Sequence, residues 1–564
     1  MRAADLRQGG REDSGVDEDK QPKRRRGLDA LSVLILLALA ALALGAGYAA
    51  LHFGWFGSPW QFAAWLFVCL AFLVVGLQTQ PAPQQGIALS KWADRAAIEA
   101  AGVDQKTPRS APDAEAGKEG VYLGFFADTL GALTLRYKGG KHLLSFGTPG
   151  ANKSTGLVVP NLAHLPRSII VIDPKGELAA ITARKRADMG RVIVLNPFAL
   201  LADDLPHLES EGWNPLMQLD PESEDFESDA RCIADAVIDK GDGGGNSRFF
   251  ETSAENLATA LIMWERYISG DKASLRNARA QVSEPSEYDD KKRLTGGFLF
   301  TLELMAKSEH DAIRNAGARL SARLNDPNSQ ATSAQDVIDT FMASTRFLDH
   351  PCIRADMWEK PAIDFGALHN TITTIYLILP AHELTSQAKW LRLFVNIALR
   401  ELYKNPPTKP TLPPVLLMLD EFGNLGWLSE IETALNLSRG YRIQMWMFLQ
   451  NLAQLKANYK TKWESFFTGA GAVTSFKTGD METAEQLAKI YGNAEKSIYT
   501  QSHSGLSNSP QAIPLIRSED INRLTRGATI SIIEPCDMPI KGSAPVYPQT
   551  DYGRGLDPNP YFHG

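Results

Sequence analysis

Cysteine is scarce in this sequence of 564 residues, and its spacing excludes several kinds of protein. The four cysteines, Cys69, Cys232, Cys352 and Cys536, form no C-x-x-C pair, so neither a zinc-ribbon site nor a disulfide scaffold is indicated. Their wide separation favours reduced, structural thiols. A basic excess is also lacking, because the formal net charge is -7. The sequence therefore has no global positive field for nucleic acid, although a local basic groove is compatible with it.

Charged side chains are absent from two long stretches near the N-terminus. Residues 30–51 and 59–77 contain no Asp, Glu, Lys or Arg, and each stretch is long enough to cross a bilayer. The basic residues 23–26 would keep the N-terminus in the cytoplasm. A cleaved signal peptide is the alternative, because small residues stand near the end of the first stretch. The second stretch favours a two-helix transmembrane anchor over residues 28–78, with both termini in the cytoplasm.

A phosphate-binding pattern follows an apolar run that ends at Phe146. The stretch GTPGANKS resembles G-x-x-x-x-G-K-[ST], a loop that cradles phosphates between a strand and a helix. Backbone N–H groups, a helix N-terminus, a lysine ammonium and a hydroxyl for Mg²⁺ meet the needs of a triphosphate. Asn152 replaces the glycine of the pattern; asparagine tolerates positive φ, but its side chain would crowd a phosphate. The candidate nucleotide-binding residues are Gly147, Gly150, Asn152, Lys153, Ser154 and Thr155.

Two adjacent acids end the apolar run at residues 415–419. Asp420 and Glu421 are costly at the end of a buried strand unless they have partners, and Mg²⁺ with a water to activate supplies such partners. We predict that Asp420 and Ser154 hold Mg²⁺ and that Glu421 orients the attacking water. An acidic turn that closes the strand is the alternative. The prediction requires Lys153 and both acids to meet around one magnesium-bound triphosphate.

Short apolar runs alternate with helical patterns along most of the chain. The runs at 168–172, 191–195 and 371–379 predict a parallel, doubly wound α/β sheet, in which ligands bind at the carboxyl ends of strands. Asp173 stands at such an end, either as a ligand or as a turn former. Helical periodicity without strand-like runs predicts an all-α insertion over residues 222–348. From Pro535 onward we expect an extended chain.

The run at residues 440–450 has polar residues at both ends that suggest further roles. Gln450 would lie beside the γ-phosphate, where it could sense hydrolysis, although a lone glutamine there is more often a turn residue. Arg439 and Arg442 precede the apolar residues of this run. Either is a candidate arginine finger that reaches the nucleotide of a neighbouring subunit, and a solvated face is the alternative.

The order of these motifs resembles the type IV secretion coupling proteins, the TraG/TraD-type conjugation ATPases. The resemblance rests on GTPGANKSTGLVVPNL, VIDPKGEL, VLNPF, WNPL, LMLDEFGNLG and FLQNLAQLKANY. It implies a RecA-like P-loop nucleotide-binding domain with an inserted all-α domain, assembled as a homo-hexamer on an inner-membrane anchor. It implies that Lys153 and Ser154 bind the phosphates and Mg²⁺ of ATP. It also implies that Asp420 and Glu421 form the second acidic motif and that Gln450 is the sensor-like glutamine.

The resemblance implies an inner-membrane ATPase that delivers relaxase-bound single-stranded DNA or effector proteins to the type IV secretion channel. Two alternatives remain: a docking platform with a silent nucleotide site, and a FtsK/HerA-like DNA translocase. The predicted segments are a cytosolic tail (1–27), a transmembrane hairpin (28–78), a linker (79–120), the first part of the RecA-like domain (121–221), the all-α domain (222–348), the second part of the RecA-like domain (349–545) and a C-terminal tail (546–564).

Overall fold

A long mixed β-sheet forms the centre of the fold. The computed structural model describes residues 89–104, 120–238, 245–324, 331–407, 412–437, 440–502 and 505–561. Eleven strands of these ranges join one sheet. They are β1 (Val121–Asp128), β2 (Gly131–Tyr137), β3 (His142–Phe146), β4 (Ile169–Asp173), β5 (Arg191–Leu195), β8 (Thr373–Ile378), β9 (Val415–Leu419), β10 (Ile443–Leu449), β11 (Ala470–Ser475), β14 (Ala528–Ile533) and β15 (Cys536–Ser543).

The sheet is parallel through most of its width and antiparallel at one side. The strand order is β2-β1-β15-β14-β11-β3-β10-β9-β4-β8-β5. Neighbouring strands from β11 to β5 pair in parallel, whereas β14, β15, β1 and β2 pair antiparallel. The α/β fold predicted from the alternating runs is therefore confirmed, with the correction that the sheet is mixed.

Apolar clusters cover both faces of the parallel strands. In β4, Ile170 and Ile172 belong to one cluster, and Ile169 and Val171 belong to the other. All residues of β3, β4 and β9 are buried. A strand that is buried on both faces has no polar face, which explains why residues 169–172 and 415–419 are continuous apolar runs in the sequence.

Helices fill the connections between the strands. They are α1 (Arg95–Ala100), α2 (Val159–His164), α3 (Glu177–Ala187), α4 (Phe226–Val237), α5 (Gly245–Ser269), α6 (Leu275–Ala280), α7 (Phe298–Ala306), α8 (Asp311–Leu324), α9 (Ala331–Ser344), α10 (Pro351–Met357), α11 (Ala388–Lys404), α12 (Ser429–Leu437), α13 (Leu452–Tyr459), α14 (Glu464–Thr468), α15 (Met481–Tyr491) and α16 (Ser518–Ile521). Helices α4 to α10 lie between β5 and β8, which are neighbours in the sheet. This helical part is thus an insertion between two adjacent strands.

The insertion contains a small hairpin that the expectation of an all-helical segment missed. Strands β6 (Glu287–Tyr288) and β7 (Leu294–Gly296) pair antiparallel. The side chain of Asp289 accepts the backbone N–H groups of Lys291 at 2.9 Å and Arg293 at 2.8 Å, which closes the turn. Strands this short and this rich in charged neighbours have no alternating pattern, so the sequence gives no signal for them.

The segment after Pro535 is also more ordered than expected. Residues 536–543 form β15, which pairs with β14 and with β1 instead of running free. A second hairpin, β12 (Asn493–Ser502) with β13 (Gly505–Pro514), lies outside the main sheet. Beyond β15 the chain returns along α3, where Asp557 accepts a hydrogen bond from Arg184 at 2.7 Å.

The predicted anchor over residues 28–78 lies outside the described residues, as does the N-terminal tail. None of the helices in the described ranges combines the length and the apolar character needed to cross a membrane. The segment predicted as a linker contains the short helix α1, which is capped by Asp94 through a 2.8 Å bond from the N–H of Ala97.

A buried histidine in β3 makes the stability of this fold depend on pH. The ring of His142 accepts the N–H of Met445 at Nδ1 (3.1 Å), so its Nε2 carries the hydrogen that contacts the carbonyl of Ala434 (3.2 Å). Burial lowers the pKa of His142 to about 4. The unfolded chain binds a proton near pH 6.5, and the folded chain does so only near pH 4. The stabilisation is therefore complete above pH 6.5 and lost as the pH falls toward 4.

We predict that His142 accounts for about 2 kcal/mol of lost stability between pH 7 and pH 5. The thermal midpoint of wild-type protein should therefore fall more over this interval than that of His142→Gln, measured by scanning calorimetry. His382, whose side chain is 79% exposed, is the matched control, and His382→Gln should follow the wild type. Equal falls in wild type and His142→Gln would contradict the prediction.

Candidate nucleotide-binding site

The phosphate-loop sequence forms a tight turn at the carboxyl end of β3. The N–H of Gly147 donates to the carbonyl of Leu449 at 3.0 Å, and the N–H of Thr148 donates to that of Lys477 at 3.0 Å. These bonds tie the loop to the ends of β10 and β11. The loop then enters a π-helical turn, Ser154–Val158, which continues into α2. The strand, loop and helix predicted from the sequence are all present.

Asn152 adopts a left-handed backbone conformation, which glycine reaches at the lowest cost. Its φ is +77° and that of Gly150 is +78°, in the left-handed region that asparagine tolerates better than most residues. The side chain is held at one side, because its Oδ1 accepts a hydrogen bond from Nε of Arg526 at 2.7 Å. Asn152 thus accommodates the turn of the loop and contacts a segment that is distant in the chain.

Lys153 is buried with its ammonium group against the loop. Its Nζ donates to the carbonyl oxygen of Gly147 and, at 3.3 Å, to that of Thr148. Burial lowers the pKa of Lys153, and the nearby carboxylates of Asp420 and Glu421 oppose this effect. A buried ammonium beside two acids is a group that an anionic ligand would stabilise.

Ser154 and Asp420 meet although 266 positions separate them in the chain. The Oγ of Ser154 donates to Oδ2 of Asp420 at 3.0 Å. Burial raises the pKa of Asp420, and the adjacent Glu421 raises it further. Glu421 has a φ of +56°, an uncommon conformation for a residue with a side chain, and such strain is concentrated at functional sites.

Gln450 lies beside Glu421 at the end of β10. Its Nε2 donates to Oε2 of Glu421 at 2.9 Å, and its backbone N–H donates to Oε1 of Gln454 at 3.0 Å. Both ends of Gln450 are therefore fixed. Two positions that the sequence analysis singled out separately, Glu421 and Gln450, form one hydrogen-bonded pair.

Asp173 forms the turn that the sequence analysis considered and also lies at the cavity. It lines the same cavity as Lys153, and its carboxylate also accepts the backbone N–H groups of Ala179 at 2.8 Å and Lys175 at 3.4 Å. Burial raises the pKa of Asp173 to about 7. Asp173 therefore closes the turn into α3 and contributes an ionisable group to the site.

One cavity of about 210 Å³ joins these elements. The residues that line it come from the phosphate loop, the ends of β4 and β9, the start of α3 and the turn before β14. They are Thr148, Pro149, Gly150, Asn152, Lys153, Ser154, Thr155, Asp173, Pro174, Lys175, Glu177, Leu178, Asp420, Glu421 and Arg526. Gly147 underlies the loop without lining the cavity. The proximity of Lys153 to the two acids, which the sequence analysis required, is observed.

Of the two candidate arginine fingers, Arg442 does not line this cavity. Arg439 lies outside the described residues. Arg442 precedes β10, at the opposite end of the strand from Gln450, and its Nη2 donates to the carbonyl of Leu412 at 2.8 Å. A trans finger would act on another subunit, so its own position within the chain neither supports nor opposes that role.

Arg526 is the cavity residue that sequence reasoning missed. It stands in a turn between α16 and β14, more than 370 positions beyond the phosphate loop. A single arginine in a turn matches no motif. Arg526 can be identified as a site residue only from the pairing of β14 and β15 with the sheet, because this pairing brings the turn beside Asn152.

The oxygen atoms of Ser154 and Asp420 suit a magnesium ion. Mg²⁺ prefers oxygen ligands and is commonly held by one or two protein groups together with waters and substrate phosphates. Within the described ranges, no group of three or more His, Cys, Asp or Glu residues could hold a metal by itself. The observed pair fits an ion whose coordination would be completed by phosphate oxygens.

Comparison with known proteins places the chain in a family. The family described as Type IV secretory system Conjugative DNA transfer matches residues 91–552. This chain belongs to that family. The match includes both halves of the cavity, because it extends from before the phosphate loop to beyond Arg526.

Two relatives illustrate the similarity within the family. The conjugal transfer protein TraG of Escherichia coli is 25% identical over 425 residues, which cover 72% of this chain and 64% of TraG. Protein VirD4 of Rhizobium rhizogenes is 24% identical over 418 residues, which cover 70% of this chain and 56% of VirD4. The chain thus spans less than two thirds of the length of these curated relatives.

Solved structures of the coupling protein TrwB share the fold. The trigonal form of TrwBdeltaN70 in complex with sulphate has a TM-score of 0.55 at 15% identity, covering 83% of this chain and 96% of that one. The complex of TrwB with ADPNP has a TM-score of 0.54 at 13% identity, with the same coverage. At such low identity the likeness is evidence for a common α/β architecture only.

We predict that Gly156 is essential for the position of the phosphate loop in this family member. A Cβ at Gly156 would lie 2.6 Å from the carbonyl oxygen of Ala544, so Gly156→Ala must push the π-helical turn away from the end of β15. Such overpacking costs about 1–3 kcal/mol, and the thermal midpoint should fall by several degrees. Gly440→Ala is the control, because the nearest atom would be 3.6 Å from its Cβ. Equal midpoints for the two variants would contradict the prediction.

Proposed function

We propose that this protein is the ATPase of a type IV secretion or conjugation system, which recruits relaxase-bound DNA or effector proteins and delivers them to the channel. The observation that carries the proposal is the meeting of Lys153 and Ser154 with Asp420 and Glu421 around one cavity. Membership of the conjugative DNA transfer family supports the cellular role. Structures of TrwB with GDPNP and with ADPNP support a nucleoside triphosphate as the ligand.

The residues present define how the triphosphate would be held. The phosphate loop supplies backbone N–H groups, and the ammonium of Lys153 offsets the charge that develops on the γ-phosphate. Ser154 and Asp420 would hold Mg²⁺, which, when bound, neutralises phosphate charge and orients the transferred group. The proposal includes the RecA-like character of the nucleotide-binding domain.

Glu421 and Gln450 would act on the attacking water. The carboxylate of Glu421 orients that water and accepts its proton as it attacks the γ-phosphate. The 2.9 Å bond from Nε2 of Gln450 fixes one oxygen of this carboxylate, which leaves the other for the water. Through the same bond Gln450 would detect any movement of Glu421 on hydrolysis.

The proposal also includes assembly on the inner membrane. Six copies would form a ring anchored by the hairpin at residues 28–78, with both chain termini in the cytoplasm. An arginine of a neighbouring copy, for which Arg439 is the first candidate, would complete the charge of each site. Inner-membrane components of the secretion channel are the expected partners of the ring.

We predict that ATP hydrolysis by the full chain in detergent depends on Lys153 and Glu421. Lys153→Ala should abolish both binding and turnover, because the charge that holds the phosphates is lost. Glu421→Gln should keep binding and lower kcat by at least about 100-fold, because the water loses its base. Phosphate release and fluorescent-nucleotide binding measure the two effects. Lys185→Ala, on the outer face of α3 beside Asp188, is the matched control and should retain full activity.

The same assay decides between the proposal and its closest alternative. A protein that binds ATP through Lys153 but releases no phosphate would be a docking platform with a silent site. The departure at Asn152 is the feature that favours this second candidate. Full activity in Lys153→Ala would contradict both.

We predict that the specific activity rises with protein concentration and that its response to single-stranded DNA identifies the class of substrate. A trans arginine makes hydrolysis depend on assembly, so activity per subunit should rise steeply with concentration before reaching a plateau. Single-stranded DNA should increase activity further if the ring translocates DNA, and it should have no effect if effector proteins are the only substrates. Activity per subunit that is constant over a 100-fold dilution series would exclude a shared site.

A further inference from the structure

The contact between Asn152 and Arg526 involves the one position at which the phosphate loop departs from its pattern. Oδ1 of Asn152 accepts a hydrogen bond from Nε of Arg526 at 2.7 Å. Within the part of the chain that the structure describes, no hydrogen bond is found for the terminal nitrogens of this guanidinium. Arg526 also lines the cavity shared by the loop and the two acids. Its free edge is therefore available to a ligand in that cavity.

The backbone holds the turn of Arg526 against the phosphate loop. Gly527 has a φ of +80°, and its carbonyl accepts the N–H of Ala544 at 2.7 Å. A Cβ at Gly527 would lie 3.2 Å from Nδ2 of Asn152, and one at Gly156 would lie 2.6 Å from the carbonyl of Ala544. Close packing thus joins the loop, the end of β15 and the turn.

The charged residues that line the cavity indicate a ligand-binding role for Arg526. Four acids line it, Asp173, Glu177, Asp420 and Glu421, whereas Lys153 and Lys175 are its other cations. A guanidinium binds phosphate through two parallel N–H groups and is less strongly hydrated than an ammonium. An arginine at the rim, with one nitrogen fixed and two free, is arranged for such binding.

We propose that Asn152 and Arg526 act as a unit, in which Asn152 is a positioning residue and Arg526 binds a phosphate group of the nucleotide from within the same subunit. The inference rests on the proposed function, because it names a further ligand contact of the same site. The proposal assigns a function to the residue at which the loop departs from its pattern, Asn152. Asn152 does more than tolerate the conformation of a glycine. It positions Arg526, a cation that is not part of the common loop pattern.

The proposal makes a prediction opposite to the one the loop pattern alone would give. Asn152→Gly restores the common pattern and lowers the conformational cost of the positive φ. It should nevertheless weaken nucleotide binding, because Arg526 loses the hydrogen bond that orients it. Arg526→Ala should weaken binding about tenfold, as expected for one charge-assisted phosphate contact. In the double variant the losses should not add, because each single change already breaks the same contact.

The test is a double-mutant cycle on the full chain in detergent, with mant-ATP anisotropy as the readout, measured with and without Mg²⁺. The four proteins are wild type, Asn152→Gly, Arg526→Ala and the double variant. Arg523→Ala, an exposed arginine of the same segment that does not line the cavity, is the control and should bind as the wild type does. If the variants have the same thermal midpoint as the wild type, any loss of binding is due to the lost contact and not to unfolding.

Each outcome has one meaning. Weaker binding in both single variants, with no further loss in the double variant, supports the unit. Affinity unchanged in Arg526→Ala, together with binding lost in Lys153→Ala, overturns the inference and leaves the proposed function intact. Additive losses overturn the role of Asn152 as a positioning residue. Absence of mant-ATP binding by the wild type overturns the inference and the proposed function together.

Discussion

The order of four neighbouring parallel strands is the constraint on which the site depends. Strands β3, β10, β9 and β4 lie side by side, and parallel strands bring their carboxyl ends to one edge of a sheet. The phosphate loop follows β3, Gln450 follows β10, and the acid pair follows β9. Asp173 ends β4. The hydrogen-bonded ladder of these strands therefore fixes the spacing between the phosphate loop, the acid pair and Asp173.

The charges at this edge are costly in the absence of a ligand, and the structure distributes that cost among several groups. Burial lowers the pKa of Lys153 and raises those of Asp420 and Asp173. Each of these groups is less stable in its charged form than it would be in water. An anionic ligand with a divalent cation would stabilise all three at once. The buried charges of these three groups are therefore compatible with a magnesium–triphosphate complex.

The antiparallel side of the sheet contributes to the site as directly as the parallel side does. Strands β14 and β15 extend the sheet beyond β11, and the turn before β14 lies against the phosphate loop. The last described residues also contact this region. The hydroxyl of Tyr561 donates to the carbonyl of Lys175 at 2.6 Å, close to Asp173 in the chain. Segments at the C-terminal end of the chain thus pack around a loop that is encoded near its start.

The local pattern of the sequence determined the buried strands of the parallel part of the sheet and the residue types of the candidate site. Buried parallel strands are continuous apolar runs, and a phosphate loop or an acid pair needs its residue types at fixed spacing, so both are visible without a structure. The hairpin at β6 and β7, the strand β15 and the contact of Arg526 with Asn152 were decided only by tertiary structure. These features depend on pairing between segments far apart in the chain or on side-chain hydrogen bonds in a short turn, and neither leaves a periodic signal. The sequence also required Lys153 to meet Asp420 and Glu421, but only the strand order could bring them together.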